Sequence, residues 1–153
     1  MKVSDIHSCG TIHIPMSCTL REAAIQMRDR HVGALIVTGG PIGRIAGIVT
    51  DRDIVVKGVT LGGATNDMLV ADVMTNDVVT IDAGADVADA MEAMATHGVR
   101  RLATTNRSED IIGVLSLDDI VEALGRELGL LGSIVQREQC RESTGSVQTP
   151  FHG

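Results

Sequence analysis

The chain has 153 residues, a formal net charge of −7 at pH 7 and 44% apolar residues, with one Phe and neither Trp nor Tyr. That length suffices for a folded unit without metals or disulfides, and its core has to be built from Val, Ile, Leu, Ala and Met, a palette suited to helices packed on small sheets. The acidic balance opposes a phosphate backbone and the missing aromatics remove the platforms on which single-stranded nucleic acid stacks, so direct nucleic-acid binding is disfavoured.

The first ten residues, MKVSDIHSCG, hold one Lys and no continuous apolar stretch. They do not read as a secretory signal, and a cytoplasmic location is the expectation. His7, Cys9, His13 and Cys18 fall close together, and imidazole with thiolate suits zinc. Their spacing matches no zinc finger, however, and on a strand His13 would point away from Ile12 and Ile14. We therefore expect no metal site. With Cys140 the thiols number three, an odd count that argues against a closed disulfide framework.

Thr19 followed by Glu22 is a capping box, and Leu20, Ala23, Ala24 and Met27 then recur at helical spacing. Two β-prone runs follow, Ala34 to Val37 and Ile45 to Val49, around a turn marked by Gly39, Gly40, Pro41 and Gly43. A second helix opens at Thr50. Small and polar residues 59 to 69 read as a linker. Beyond it Asp86 caps a helix with Val87, Ala90, Met91 and Met94 as its apolar stripe. Strands around Leu102 to Thr104 and Ile111 to Leu115 come next, and a helix opens at Ser116. After about Arg137 the composition suggests a loose tail. The apolar stretch Leu128 to Val135 is too short to span a bilayer.

This order repeats itself. Residues from Val3 align with those from Val70, with Val3/Val70, Asp5/Asp72, Ile14/Ile81, Ala23/Ala90 and Met27/Met94 identical. The register runs on through Val32/Val99 and Leu35/Leu102, slips by one residue in the next turn, and resumes at Gly47/Gly113, Asp53/Asp119 and Ile54/Ile120. Each copy is too small to bury much surface alone, so the two should pack on one another as a pseudo-dimer. The expected organisation is a first repeat over 1–60, a linker over 61–69, a second repeat over 70–125, and a helical extension with a loose tail over 126–153.

Both copies share one feature beyond packing: a glycine after a short strand, then Thr50-x-x-Asp53 in GIVTDRDIV and Ser116-x-x-Asp119 in GVLSLDDIV. A hydroxyl at the N-cap with an acid three residues on is what a helix start needs, because each satisfies a backbone N–H of the other. Set in a strand-helix-strand-strand-helix unit that occurs twice in tandem, the pattern resembles the CBS-domain family, whose paired copies form a Bateman module. The resemblance covers residues 3 to 125. It implies an α+β fold of two small sheets, each packed against two helices and related by a pseudo-twofold. It also implies that Thr50, Asp53, Ser116 and Asp119 hold the ribose of an adenosyl ligand such as AMP, ATP, NAD or S-adenosyl methionine, with AMP or ATP expected here.

In that family a basic pair before the second strand often contacts phosphate. The second copy has Arg100 and Arg101 there and the first has Gly33 and Ala34, a departure that makes the two clefts unequal. Arg52, within TDRD, is a further phosphate-binding candidate, and Asp118 stands in its place in the second copy. Arg is suited to the task because it grips phosphate through parallel N–H groups.

No P-loop, dinucleotide fingerprint, nucleophile elbow or HExxH is present. The expectation is a regulatory sensor and not an enzyme, with no cofactor beyond the adenosyl ligand, an unidentified protein partner and no membrane. Apolar helix faces, including GLLGSIV after the second repeat, point to a homodimer. The alternative is a nucleotide-independent interaction protein, redox- or metal-responsive through His7, Cys9, His13 and Cys18.

Overall fold

Two short sheets carry the fold, one centred on each repeat. The computed structural model describes residues 1–39, 44–62, 64 and 66–145. In the first sheet β2 (His13–Pro15) runs parallel to β3 (Ala34–Gly39), which pairs antiparallel with β4 (Arg44–Thr50). In the second, β5 (Thr80–Asp82) runs parallel to β6 (Arg101–Thr105), β6 is antiparallel to β7 (Ile111–Ser116), and a two-residue strand β1 (Ser8–Cys9) closes the far edge against β7. Gly39 is the last residue of β3, not part of the turn, and Gly40, Pro41 and Gly43 lie outside the described residues.

The helices lie where the apolar spacing places them. The helix α1 (Leu20–Arg30) starts on the Thr19/Glu22 capping box: the Glu22 N–H donates to Thr19 Oγ1 at 3.2 Å and the Thr19 N–H to Glu22 Oε2 at 2.8 Å. It buries Leu20, Ala23 and Met27; its counterpart α4 (Val87–His97) buries Val87, Ala90 and Met94. Both end on a left-handed residue, Gly98 after α4 (φ 64°) and His31 after α1 (φ 54°). Glycine takes that conformation without steric cost, whereas a residue with a Cβ does not.

The two cores correspond position by position. Leu20, Ala23, Met27, Leu35 and Val49 form one with Ile14, Met68, Val70 and Val73; Val87, Ala90, Met94, Leu102 and Leu115 form the other with Val3 and Ile120. Val3 therefore belongs to the core of the second repeat and Val70 to that of the first. The crossing is reciprocal in the backbone: the Val3 and Ser4 N–H groups donate to Ala85 and Ala83, and those of Val70 and Ala71 to Cys18 and Met16. Each repeat is a unit of sequence, but each lobe is built from both. The last linker residues take part, since Met68 is buried and its carbonyl accepts from the Leu20 N–H at 2.9 Å.

After β4 the chain makes one turn of α-helix, α2 (Asp51–Asp53), then a wider π turn over Ile54–Gly58; a short α3 (Val70–Val73) opens the second repeat. The final helix α5 (Leu117–Gly145) has 29 residues and corrects the expectation of a loose tail after Arg137. The polar residues that suggested a tail include Arg, Glu and Gln, which are good helix formers in water. Only Ile120 and Ala123 of α5 are buried. The remaining residues, 146–153, lie outside those described.

Candidate functional site

The turns after β4 and β7 are built alike. Asp53 Oδ2 accepts from the Thr50 N–H at 3.0 Å and from Thr50 Oγ1 at 2.8 Å, while the Asp53 N–H donates back to Thr50 Oγ1 at 3.1 Å. Asp119 Oδ2 accepts from the Ser116 N–H at 2.8 Å and from Ser116 Oγ at 2.6 Å, and the Asp119 N–H returns to Ser116 Oγ at 3.2 Å. Each hydroxyl and carboxylate thus caps its helix and holds the other in place.

The glycine that precedes each turn has a steric cause. A Cβ on Gly47 would lie 2.5 Å from the Thr75 carbonyl oxygen, and one on Gly113 would lie 2.5 Å from the Ser8 carbonyl oxygen and run into His7 Nδ1. In both places the crossed segment of the other repeat lies directly on the strand: Ile48 and Thr75 exchange two 2.9 Å backbone hydrogen bonds, and Ser8 is paired with Val114.

Around these turns lie two clefts related by the pseudo-twofold. The first, of about 290 Å³, brings Thr50, Arg52 and Asp53 of the first repeat together with Asp77, Arg100 and Arg101 of the second, over an apolar floor of Ile48, Val78, Val79 and Val99. The second, of about 340 Å³, is lined by Ser116, Asp118 and Asp119, by His31 to Ala34 of the first repeat, by Ser8 and Gly10 to Ile12, and again by Arg101. All seven candidate residues line one cleft or the other, but they are not brought to a single place.

The two carboxylates differ in their partners. Asp53 is mostly buried, and its free oxygen Oδ1 meets Lys57 Nζ at 3.0 Å; Lys57 also donates to the Val73 carbonyl at 2.8 Å, tying the turn to the crossed segment. The place of Lys57 is taken by Ala123 in the second repeat, and among the described residues Asp119 has no such cation. Arg100 is exposed, with Nη2 3.6 Å from Asp118 Oδ1.

Sequence reasoning missed Lys57, His31 and the crossed segments Ser8 to Ile12 and Thr75 to Val79. The repeat offset maps these two segments onto each other. It does not say that each lines the cleft formed by the other repeat's turn, because that follows from the exchange.

The N-terminal His and Cys residues divide between the sheets. The His7 ring shares a 2.8 Å hydrogen bond with Thr104 of β6, whereas His13 in β2 bonds Thr11 at 2.6 Å. Burial, and secondarily the charge of Glu22, push the Cys18 thiol up from its ordinary value and keep it protonated. The side chain of Cys9 lies outside the described atoms. Among the described residues, no group of three His, Cys, Asp or Glu is placed to hold a metal ion, and no helix is long and apolar enough to cross a membrane.

Comparison with known proteins adds four findings. A family model described as the CBS domain matches residues 3–58 and again 70–126. The sequence is 30% identical over 119 residues to YlbB, an uncharacterized protein of Bacillus subtilis, a match spanning 78% of this chain and 79% of that one. Among solved structures, Hypoxic Response Protein I with two coordinated zinc ions aligns with a TM-score of 0.64 at 29% identity, covering 80% of this chain and 98% of the other. The CBS domain pair of protein MJ0100, in complex with 5′-methylthioadenosine and S-adenosyl-L-methionine, aligns with a TM-score of 0.72 at 21% identity, covering 83% and 98%.

Proposed function

The chain belongs to the CBS-domain family as a tandem pair of such domains, and from that premise we propose that it is a regulatory module that holds an adenosyl nucleotide, AMP or ATP, between its repeats and signals to a partner protein through the way its halves pack. One observation carries this reading: a hydroxyl–carboxylate pair, Thr50 and Asp53, and three arginines, Arg52, Arg100 and Arg101, border one cleft with an apolar floor. A carboxylate that accepts from two ribose hydroxyls, apolar walls for a base and guanidinium groups for phosphate are the three demands of a nucleotide. The complex of the MJ0100 pair supports the adenosyl part of this ligand, since 5′-methylthioadenosine and S-adenosyl-L-methionine carry no phosphate. A cytoplasmic setting belongs to the same proposal.

The test is a series of thermal melts with AMP, ATP, NAD and S-adenosyl methionine, because a ligand that binds only the folded chain stabilises it by RT ln(1 + [L]/Kd). AMP or ATP at 100 times its Kd should add about 2.7 kcal/mol. No shift with any of the four would overturn the reading.

We also propose that the module is a homodimer. On α5 the side chains of Val121, Leu128, Leu131, Ile134 and Val135 are each more than half exposed, and such a stripe on a soluble chain calls for a cover. Sedimentation at micromolar concentration should give twice the chain mass, and a monomer mass would contradict it.

A metal-responsive role has one observation in its favour, the two zinc ions of Hypoxic Response Protein I. Zinc added in the same melts decides between the readings: stabilisation by zinc and not by nucleotide would favour the metal.

A further inference from the structure

Arg101 borders both clefts. Among the described residues its guanidinium has no carboxylate within 4 Å, whereas Arg100, its neighbour, lies near Asp118 and lines the first cleft alone. The pseudo-twofold makes Ala34 the counterpart of Arg101, so the pair offers two places and fills one with arginine. Gly33 shows how the guanidinium reaches across. A Cβ at that position would sit 3.2 Å from Arg101 Nη2 and 3.2 Å from Asp51 Oδ2. The side chain absent from the first repeat is the space into which the arginine of the second extends.

We infer that Arg101 is a phosphate ligand shared by the two clefts, and that sharing limits the chain to one tightly bound phosphorylated nucleotide. Each cleft is lined by two carboxylates, Asp53 and Asp77 in the first and Asp118 and Asp119 in the second, but the first sets Arg52 and Arg100 of its own against them, whereas the second has Asp118 where Arg52 stands. A phosphate in the first cleft draws the guanidinium towards itself and leaves the second with Asp118 and Asp119 facing any incoming anion. One planar fork cannot serve two phosphate dianions on opposite sides without bringing their like charges together. A nucleoside without phosphate does not compete for Arg101 and is free to enter both clefts.

This inference rests on the nucleotide reading, and the experiment separates the two. Titration calorimetry of the full chain with AMP is expected to saturate at one per chain, and Ala34→Arg, which gives each cleft its own guanidinium, at two. Two equivalent AMP sites in the wild type, or a single site in Ala34→Arg, would overturn the shared arginine and leave the nucleotide reading standing; no AMP binding at all would overturn both. Should Ala34→Arg fail to melt cooperatively, Arg101→Ala decides. Because Arg52 and Arg100 remain in the first cleft, it is expected to weaken AMP about tenfold while leaving adenosine within about threefold of the wild type, and an AMP affinity unchanged in that variant would overturn the inference.

Discussion

The turn after β4 and the turn after β7 share one hydrogen-bonding scheme and the glycine that precedes it, and differ in the charged residues around them. Thr50–Asp53 has Lys57 on the spare carboxylate oxygen and borders a cleft with three arginines; Ser116–Asp119 has Ala123 in place of that lysine and borders a cleft with Asp118 and a shared Arg101. The scheme that both keep is the one that starts a helix, and the residues that differ are those that set the charge a ligand meets. A capping box and a ligand site can therefore occupy the same four residues, with the cap held constant while the cleft changes.

The largest expected effect tests what both turns require. Gly47→Ala and Gly113→Ala each set a Cβ against a carbonyl oxygen of the crossed segment. Each should cost about 3 kcal/mol by chemical denaturation, since overpacking against backbone is relieved only by moving a strand. A loss below about 0.5 kcal/mol in either would mean that the segment does not lie on the strand as described.

Next is the exchange itself. Val3 and Val70 are fully buried, each in the core centred on the other repeat. Truncation of either to Ala should cost about 2 kcal/mol. If Val3→Ala is neutral while Val70→Ala is not, the N-terminal crossing is absent in solution.

Much of this was legible beforehand, and the reason lies in short-range chemistry. The capping box at Thr19, the stripe Leu20, Ala23 and Met27, and the apolar runs around Leu35 and Leu102 are read from spacing alone, and the repeat doubles each signal. The reciprocal crossing was not legible, because Val3 and Val70 sit at equivalent positions and a sequence offset cannot distinguish packing within a repeat from packing across the pair. For the same reason the candidate residues were recognisable one by one while their division between two clefts was not. Nor was the course of α5 from Arg137 to Gly145 visible: a polar run without an apolar stripe reads as tail even when Arg, Glu and Gln within it favour the helix.

The smallest of these stability differences separates the carboxylates. Asp53→Ala and Asp119→Ala each lose a cap interaction of about 1 kcal/mol, and Asp53→Ala loses in addition the partly exposed Lys57 pair, which adds no more than about 0.5 kcal/mol. Thermal melts should rank Asp53→Ala as the less stable of the two. The reverse order would mean that Lys57 contributes nothing to the first turn.

The central claim is that a cleft bordered by Arg52, Arg100 and Arg101 binds a nucleotide by its phosphate as well as by its ribose. Titration calorimetry of the wild-type chain with AMP and with adenosine measures this directly. A charge-assisted hydrogen bond contributes roughly 1.5–3 kcal/mol, so AMP should bind at least about tenfold more tightly than adenosine. Equal affinities would contradict the assignment of the arginine-lined end to phosphate.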